Sequence, residues 1–328
     1  GQGYADLHYL IPETVDLVHF GKGPYHTHYG NLATAGYVGF QSRNRLEEST
    51  IALELGQFNT FRGLGMINLL NQNSEVKTQN AYIAGEYLST DGYFESPQNF
   101  KRLSLFGKYN ASLGKNHFLT GSLSTFSSSW DASGQIPLRA VESGEIGFFG
   151  AIDDTEGGLT SRSNANLQLN STINNHSFLK NQVFYNRYDF ELYSNFTFFL
   201  EDSINGDQIK QKESRNLFGY NGSYNRNDML GGIGLQTEIG LQYRQDMSND
   251  NELSHTANKT LIIERLAFGD IREANAGVYV NETFRFSENV SINAGLRFDH
   301  FQFSYKDQLT DNVFKTVNDQ IISPKLNT

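Results

Sequence analysis

His26 and His28 lie two residues apart in the stretch Tyr25-His26-Thr27-His28. Alternate side chains of an extended chain point to the same side, so both imidazoles could face one zinc or copper ion. A structural zinc site needs four ligands, and no third histidine or cysteine follows at the short spacing of such a site. We predict no metal site, with His26 and His28 as weak candidates, and expect both rings to make structural hydrogen bonds.

Carboxylates are concentrated in the run DDTEGG at residues 153–158. Hard cations such as calcium prefer carboxylate oxygens. The run lacks the spaced ligands of a calcium-binding loop. We interpret it as a solvated turn in a loop.

Trp130 and Arg139 belong to the longest predicted loop, a polar, Gly-rich stretch at about 129–158. An aromatic platform and a fixed cation could engage a ligand, or could order the loop itself. Both stay open as ligand-binding candidates.

Enzyme chemistry has little support in the sequence. No nucleophile elbow, phosphate loop or paired metal ligands occurs at the spacing that a mechanism requires. Asp299 and His300 at a predicted strand rim resemble a hydrolase pair only in residue type. We predict a protein that is not an enzyme and has no cofactor.

Composition narrows the class of protein. The chain has 17 tyrosines and 25 phenylalanines against 5 prolines and no cysteine, which favours a β-rich fold and excludes thiolate chemistry. The net charge of -10 is spread along the chain without a basic cluster, so we expect no nucleic-acid partner. No apolar run reaches the roughly 18 residues of a membrane-spanning helix.

Strict alternation of apolar and polar residues predicts long strands. Ile239, Leu241 and Tyr243 form an apolar row against polar Glu238 and Gln242, and similar alternation recurs along the chain. We predict eleven strands between about 49 and 305, with a twelfth begun near 318. A soluble sandwich or propeller would use strands of roughly 5 to 6 residues, so it is the weaker alternative.

The predicted connections alternate between short and long. Short turns near 114–116, 174–175 and 287–289 separate long polar stretches at about 129–158, 194–213 and 248–273. A transmembrane β-barrel has short periplasmic turns and long outer loops. We therefore predict an all-β, antiparallel transmembrane barrel.

Three stretches resemble the TonB-dependent receptor family. VDLVHFGKGPYHTHYGNLATAGYVGFQSR at 15–43 is similar to the end of the family's plug domain. WDASGQIPLRAV at 130–141 is similar to an outer loop of one subgroup, and VYVNETFRFSENVSINAGLRFDHFQFSY at 278–305 to a mid-barrel hairpin. The resemblance implies residues 1–45 as the end of a plug domain and 46–328 as the first 11 to 12 strands of a 22-stranded barrel.

The resemblance also implies a function. It predicts an importer in the outer membrane of a Gram-negative bacterium, coupled to a TonB-type complex through a segment missing upstream. Outer-membrane lipid would surround it, and the ligand would be a small molecule, with an iron chelate or another metal complex favoured. A passive porin or an adhesin barrel is the alternative, and it predicts no plug.

Overall fold

The computed structural model describes residues 7–30, 34–74 and 77–327. A 3-10 helix, Pro12–Thr14, leads into β1 (Val15–Lys22), which pairs antiparallel with β2 (Gly36–Ser42). Of the plug-like stretch, residues 31–33 lie outside the described ranges. We call the described residues 7–30 and 34–46 the N-terminal segment.

Within the described ranges, twelve further strands form one antiparallel sheet in which each strand pairs with its neighbours in sequence. They are β3 (Thr50–Gly56), β4 (Thr60–Asn73), β5 (Thr78–Thr90), β6 (Phe100–Leu113), β7 (His117–Ala132), β8 (Glu156–Asn174), β9 (Ser177–Ser194), β10 (Ile209–Leu230), β11 (Ile233–Ala257), β12 (Leu261–Arg285), β13 (Ser291–Asp307) and β14 (Phe314–Asn327). The structure confirms the all-β, antiparallel fold and the predicted number of strands.

The connections sort by length at the two ends of the sheet. One end carries tight turns, such as the two residues between β8 and β9 and between β10 and β11. The other end carries the long connections 91–99, 133–155 and 195–208. The 133–155 connection contains α1 (Leu138–Glu142). Within the described ranges, no helix has the length and apolar character needed to cross a membrane.

The prediction of a long loop at 248–273 is wrong, because most of these residues belong to strands. β11 runs to Ala257 and β12 starts at Leu261, so three residues join two long strands. Their pairing contains register shifts between Ser248 and Asn251 and at two further points. A β-bulge adds a residue and reverses the phase of alternation, so the periodic signal is lost although pairing continues.

The sheet has an apolar exposed face and a polar buried face. On β11, Ile239 and Leu241 are about half exposed, at 51% and 50%, whereas Asp246 is only 4% exposed. On β13, Arg297 and Asp299 are 2% and 4% exposed. A water-soluble protein buries its apolar side chains, so this inverted pattern suits a lipid exterior and a polar interior.

The N-terminal segment packs against this polar face near β4–β6. The Tyr82 hydroxyl donates to the carbonyl of Arg43 at 2.9 Å, and the Asn110 amide donates to the carbonyl of Asn44 at 2.6 Å. A small apolar core lies between the segment and the sheet. It consists of Ile11, Leu46, Leu64, Met66, Tyr82 and Ala84.

The same segment also contacts strands at the opposite side of the sheet. Thr27 donates its hydroxyl hydrogen to Asn281 on β12 at 2.9 Å, and Gln242 on β11 donates to the carbonyl of His28 at 2.9 Å. β5 and β12 are seven strands apart in the sheet order. The sheet therefore curves around the N-terminal segment, and its polar face is an inner face.

Candidate functional site

Arg62 on β4 forms ion pairs with three carboxylates. It contacts Glu13, next to β1, at 2.8 Å and Glu54 on β3 at 2.6 Å. It also pairs with Glu86 on β5, which in turn pairs with Arg102 on β6. The Glu86 side chain is fully buried, and a buried carboxylate is tolerated only when it is paired and hydrogen-bonded. We call these residues the Arg62 cluster.

Arg297 on β13 holds the other side of the N-terminal segment. Its Nε and Nη2 donate to the two oxygens of Asp299 at 2.6 and 2.7 Å. Its Nη1 donates to Gln242 at 2.8 Å and, at 3.4 Å, to the carbonyl of Thr27. This two-pronged pairing fixes the plane of the guanidinium. We call these residues, together with Asn281, the Arg297 cluster.

Two glycines allow the segment to approach the Arg297 cluster. A Cβ on Gly30 would overlap the guanidinium of Arg297, and a Cβ on Gly295 would overlap the hydroxyl of Thr27. Close approach of a backbone to another group is a role that the missing side chain of glycine permits.

His26 and His28 belong to a group of aromatic rings. Their ring centroids are 5.9 Å apart, and His26 meets the Tyr37 ring edge-on at 5.2 Å. Burial lowers the pKa of His28, although nearby Glu238 acts in the opposite direction. Across the described residues, no group of three or more His, Cys, Asp or Glu side chains could hold a metal ion. In this structure both histidine rings pack against neighbouring aromatic rings of the N-terminal segment.

Trp130 lies at the end of β7, two residues before the long connection, whereas the sequence placed it within that loop. It lines a cavity of about 380 Å³ between the N-terminal segment and β5–β9. The aromatic walls of this cavity are Phe100, Trp130, Tyr188 and Phe190. Small-molecule sites are typically concave, aromatic-lined and supplied with a few polar groups. We call this space the Trp130 cavity.

Arg139 is separated from this cavity. It lies on α1 in the 133–155 connection, where its side chain is exposed, and it does not line the Trp130 cavity. The structure therefore does not bring the two ligand-binding candidates together around one space.

The interpretation of the acidic run 153–158 as a solvated turn holds only in part: residues 154–155 form a turn with Asp154 exposed, whereas β8 begins at Glu156 and Asp153 is half-buried. Asp153 accepts hydrogen bonds from Asn195 at 2.9 Å and Gln208 at 3.3 Å, which ties the 133–155 connection to the 195–208 connection. Burial raises the pKa of Asp153, but hydrogen bonds from Thr155, Asn195 and Gln208 outweigh burial, so its pKa is lowered. Glu156 starts β8 and is 5% exposed.

Asp299 and His300 do not form a catalytic pair. Asp299 points to the inner face and is bonded to Arg297. His300 is on the opposite face, 3.4 Å from the Gln320 amide, since adjacent strand residues point in opposite directions.

Sequence reasoning missed Arg62, Glu86 and Arg102. Each is a charged residue within a strand of mostly uncharged residues, and this contrast is visible in the sequence. Their meeting depends on cross-strand register, in which Arg62 pairs with Leu88 and Glu86 pairs with Ser104, and alternation does not fix the register.

Comparison with known proteins agrees with this architecture. The family model for the TonB dependent receptor-like beta-barrel matches residues 106–328. The match takes in more than half of the chain, and the chain belongs to this family. No curated protein matches the sequence.

Several solved structures share the fold. The unliganded ferric citrate transporter FecA aligns with a TM-score of 0.78 and 14% identity over 94% of this chain and 46% of that one. The open form of the ferric-catecholate import receptor Fiu from E. coli aligns with a TM-score of 0.69 and 14% identity over 95% of this chain and 56% of that one. The copper transporter OprC aligns with a TM-score of 0.69 and 16% identity over 96% of this chain and 48% of that one. The chain spans about half the length of these proteins.

Proposed function

We propose that the protein is a TonB-dependent importer of the outer membrane of a Gram-negative bacterium. Residues 1–45 would be the end of a plug domain and 46–328 the first part of the transmembrane barrel. The observation that carries this proposal is the N-terminal segment, which is held inside the curved sheet by the Arg62 cluster on one side and the Arg297 cluster on the other. A segment in this position blocks the lumen until it is moved.

The solute would be an iron chelate or another metal complex. Support comes from similarity in fold to proteins described as transporters or receptors of ferric citrate, ferric catecholates and copper. The energy would come from a TonB-type complex acting through a segment upstream of residue 1. Lipid would cover the apolar outer face. Members of this family are transporters, so we propose no enzymatic activity.

A passive porin or an adhesin is the competing function. A porin needs an open, water-filled lumen. The contacts of the N-terminal segment with both sides of the sheet argue against an open lumen.

The test is a disulfide that locks the segment to the barrel. The chain has no cysteine, so an engineered pair is unambiguous. A Cβ built on Gly295 lies 3.0 Å from the Cβ of Thr27, within about an ångström of the roughly 3.8 Å typical of disulfides. The variant combines Thr27→Cys with Gly295→Cys in the full-length receptor.

The readout is growth on single sources of chelated iron, copper and cobalamin, with and without the coupling protein. We expect uptake that requires coupling, is lost when the disulfide forms and returns on reduction, while Thr27→Cys alone retains uptake under both conditions. Uptake that is indifferent to both coupling and the disulfide would favour the passive channel.

A further inference from the structure

The Trp130 cavity contains two buried hydroxyl groups without a hydrogen-bond partner. Ser128 on β7 and Thr160 on β8 are 6% and 3% exposed, and neither hydroxyl oxygen has a partner in the described structure. Both residues line the cavity. Buried polar groups in native proteins are almost always hydrogen-bonded, so a buried hydroxyl left without a partner needs a physical reason.

The two hydroxyls are close neighbours. Ser128 and Thr160 are directly opposite each other in the β7–β8 pairing, and both side chains face inward. Opposite residues in an antiparallel pair have Cβ atoms roughly 4.5–5.5 Å apart. Two hydroxyls at that spacing can meet two adjacent oxygen atoms of one ligand ring.

Aromatic side chains flank the hydroxyl pair. Phe190 is opposite Thr160 in the β8–β9 pairing, and Trp130 follows Ser128 by two residues on the same face. A Cβ on Gly158, the residue opposite Trp130, would come 2.9 Å from the indole. The indole therefore packs against the Gly158 backbone, which limits its orientation. Rings with two rotatable bonds form such platforms at low entropic cost.

The cavity lining carries no Lys, Arg, Asp or Glu side chain among the described residues, and His8 is its one imidazole. The nearest cations on the same rows are engaged elsewhere. Arg102, opposite Ser128, pairs with Glu86 and does not line the cavity, although its buried Nε has no partner in the described structure. Arg162 donates to Asn164 at 2.9 Å and stacks over the Tyr9 ring at 4.6 Å. A charged ligand group in this cavity would lose its hydration without gaining a Lys, Arg, Asp or Glu partner from the lining.

We propose that the Trp130 cavity binds an uncharged ring that carries adjacent hydroxyl groups. The ring stacks on the aromatic walls, and its hydroxyls satisfy Ser128 and Thr160. The volume of about 380 Å³ is at the low end of small-ligand sites, so it takes one or two rings and not a whole bulky chelate. This inference rests on the proposed function, because the ring would be the uncharged part of the imported solute.

Two sources supply such a ring, a pyranose sugar and an aromatic diol. The purified full-length receptor is titrated with methyl glucopyranoside, with catechol and with benzoate, which is flat but anionic. Trp130 is the one tryptophan of the chain and reports the cavity by fluorescence, with Trp130→Phe identifying its contribution. We expect a saturable change with at least one of the two neutral rings and none with benzoate, and the responding ring identifies the source.

Calorimetry then compares two variants for the responding ring. Ser128→Ala combined with Thr160→Val should weaken binding at least about tenfold, since two hydrogen bonds are lost. Ser129→Ala, whose exposed side chain is on the other face of β7, should bind as the unchanged receptor does. Both are checked for folding by circular dichroism.

Absence of binding by both neutral rings, equal binding of benzoate, or unchanged affinity in a folded double variant would overturn this inference. The disulfide-lock experiment is independent of the cavity. Coupled uptake without ring binding would leave the proposed function standing and remove the cavity assignment alone.

Discussion

Gly30 and Arg297 are packed so that the glycine backbone occupies the space next to the guanidinium. Arg297 is 2% exposed and donates hydrogen bonds to Asp299, Gln242 and the carbonyl of Thr27. One arginine thus joins the barrel wall to the N-terminal segment, and a hydrogen in place of a side chain at residue 30 makes this possible.

Gly30→Ala should displace either the segment or Arg297. Overpacking a tight contact costs roughly 1–3 kcal/mol. We expect faster proteolysis of the N-terminal segment in the folded receptor. Gly39→Ala is the matched control, because its added Cβ meets nothing closer than 4.0 Å. Equal protease resistance of both variants would contradict the close contact.

Arg62→Met should destabilise the receptor strongly. It leaves the fully buried Glu86 with Arg102 alone, and breaking a buried ion pair costs about 3–5 kcal/mol. Urea unfolding in detergent or liposomes measures the change.

Arg226→Met removes an ion pair with Asp228 in which the two side chains are 52% and 35% exposed. Such a pair contributes little to stability, because water screens the attraction between its charges. If Arg226→Met costs as much as Arg62→Met, burial is not what gives the Arg62 cluster its strength.

Leu241→Arg should impair insertion into a bilayer. Leu241 is on the exposed apolar face of β11, and an arginine facing lipid at mid-depth costs about 2–4 kcal/mol. Folding into liposomes measures the loss. Gln245→Arg, four residues toward the long-loop end of the same face, should cost about 1 kcal/mol or less. Equal effects would mean that lipid does not cover this face as proposed.

Asp153→Asn should loosen the contact between the two long connections at neutral pH. The pKa of Asp153 is lowered from its ordinary value of 3.8, so its ionised form stabilises the fold. That stabilisation is complete above pH 3.8 and is lost as the pH falls through the lowered pKa. Hydrogen exchange of residues 195–208, corrected for intrinsic rates, should therefore differ between variant and parent at pH 6.

The difference should shrink as the pH falls below 3.8. Asp154→Asn, at an exposed neighbouring position, is the control and should exchange like the parent. A difference that persists undiminished at pH 2 would show that charge on Asp153 is not its cause.

Alternation was enough to predict the strands whose two faces differ. Ile239 and Leu241 face outward while Asp246 and Ser248 are buried, so β11 has a periodic signal in its first half. Beyond Ser248 the bulges change the phase and both faces are polar, so the second half was predicted as loop. Periodicity reports a difference of environment and not backbone pairing itself.

The candidate site was only partly predictable. Trp130 was singled out by residue type, and its cavity depends on Ser128, Thr160 and Phe190 from three strands. The register of the paired strands decides that these three residues lie side by side, and a single sequence does not fix the register. The Arg62 and Arg297 clusters depend in addition on where the N-terminal segment lies, and no local pattern encodes that position.

The paired strands β11 and β12 are each 25 residues long. At about 3.4 Å per residue and a tilt of about 45°, such a hairpin rises roughly 60 Å, twice the hydrocarbon thickness of a bilayer. In an outer membrane the tip of this paired hairpin would project past the lipid headgroups. A bacteriophage tail or an antibody approaching the cell would meet residues 258–260 well before it reached the mouth of the barrel.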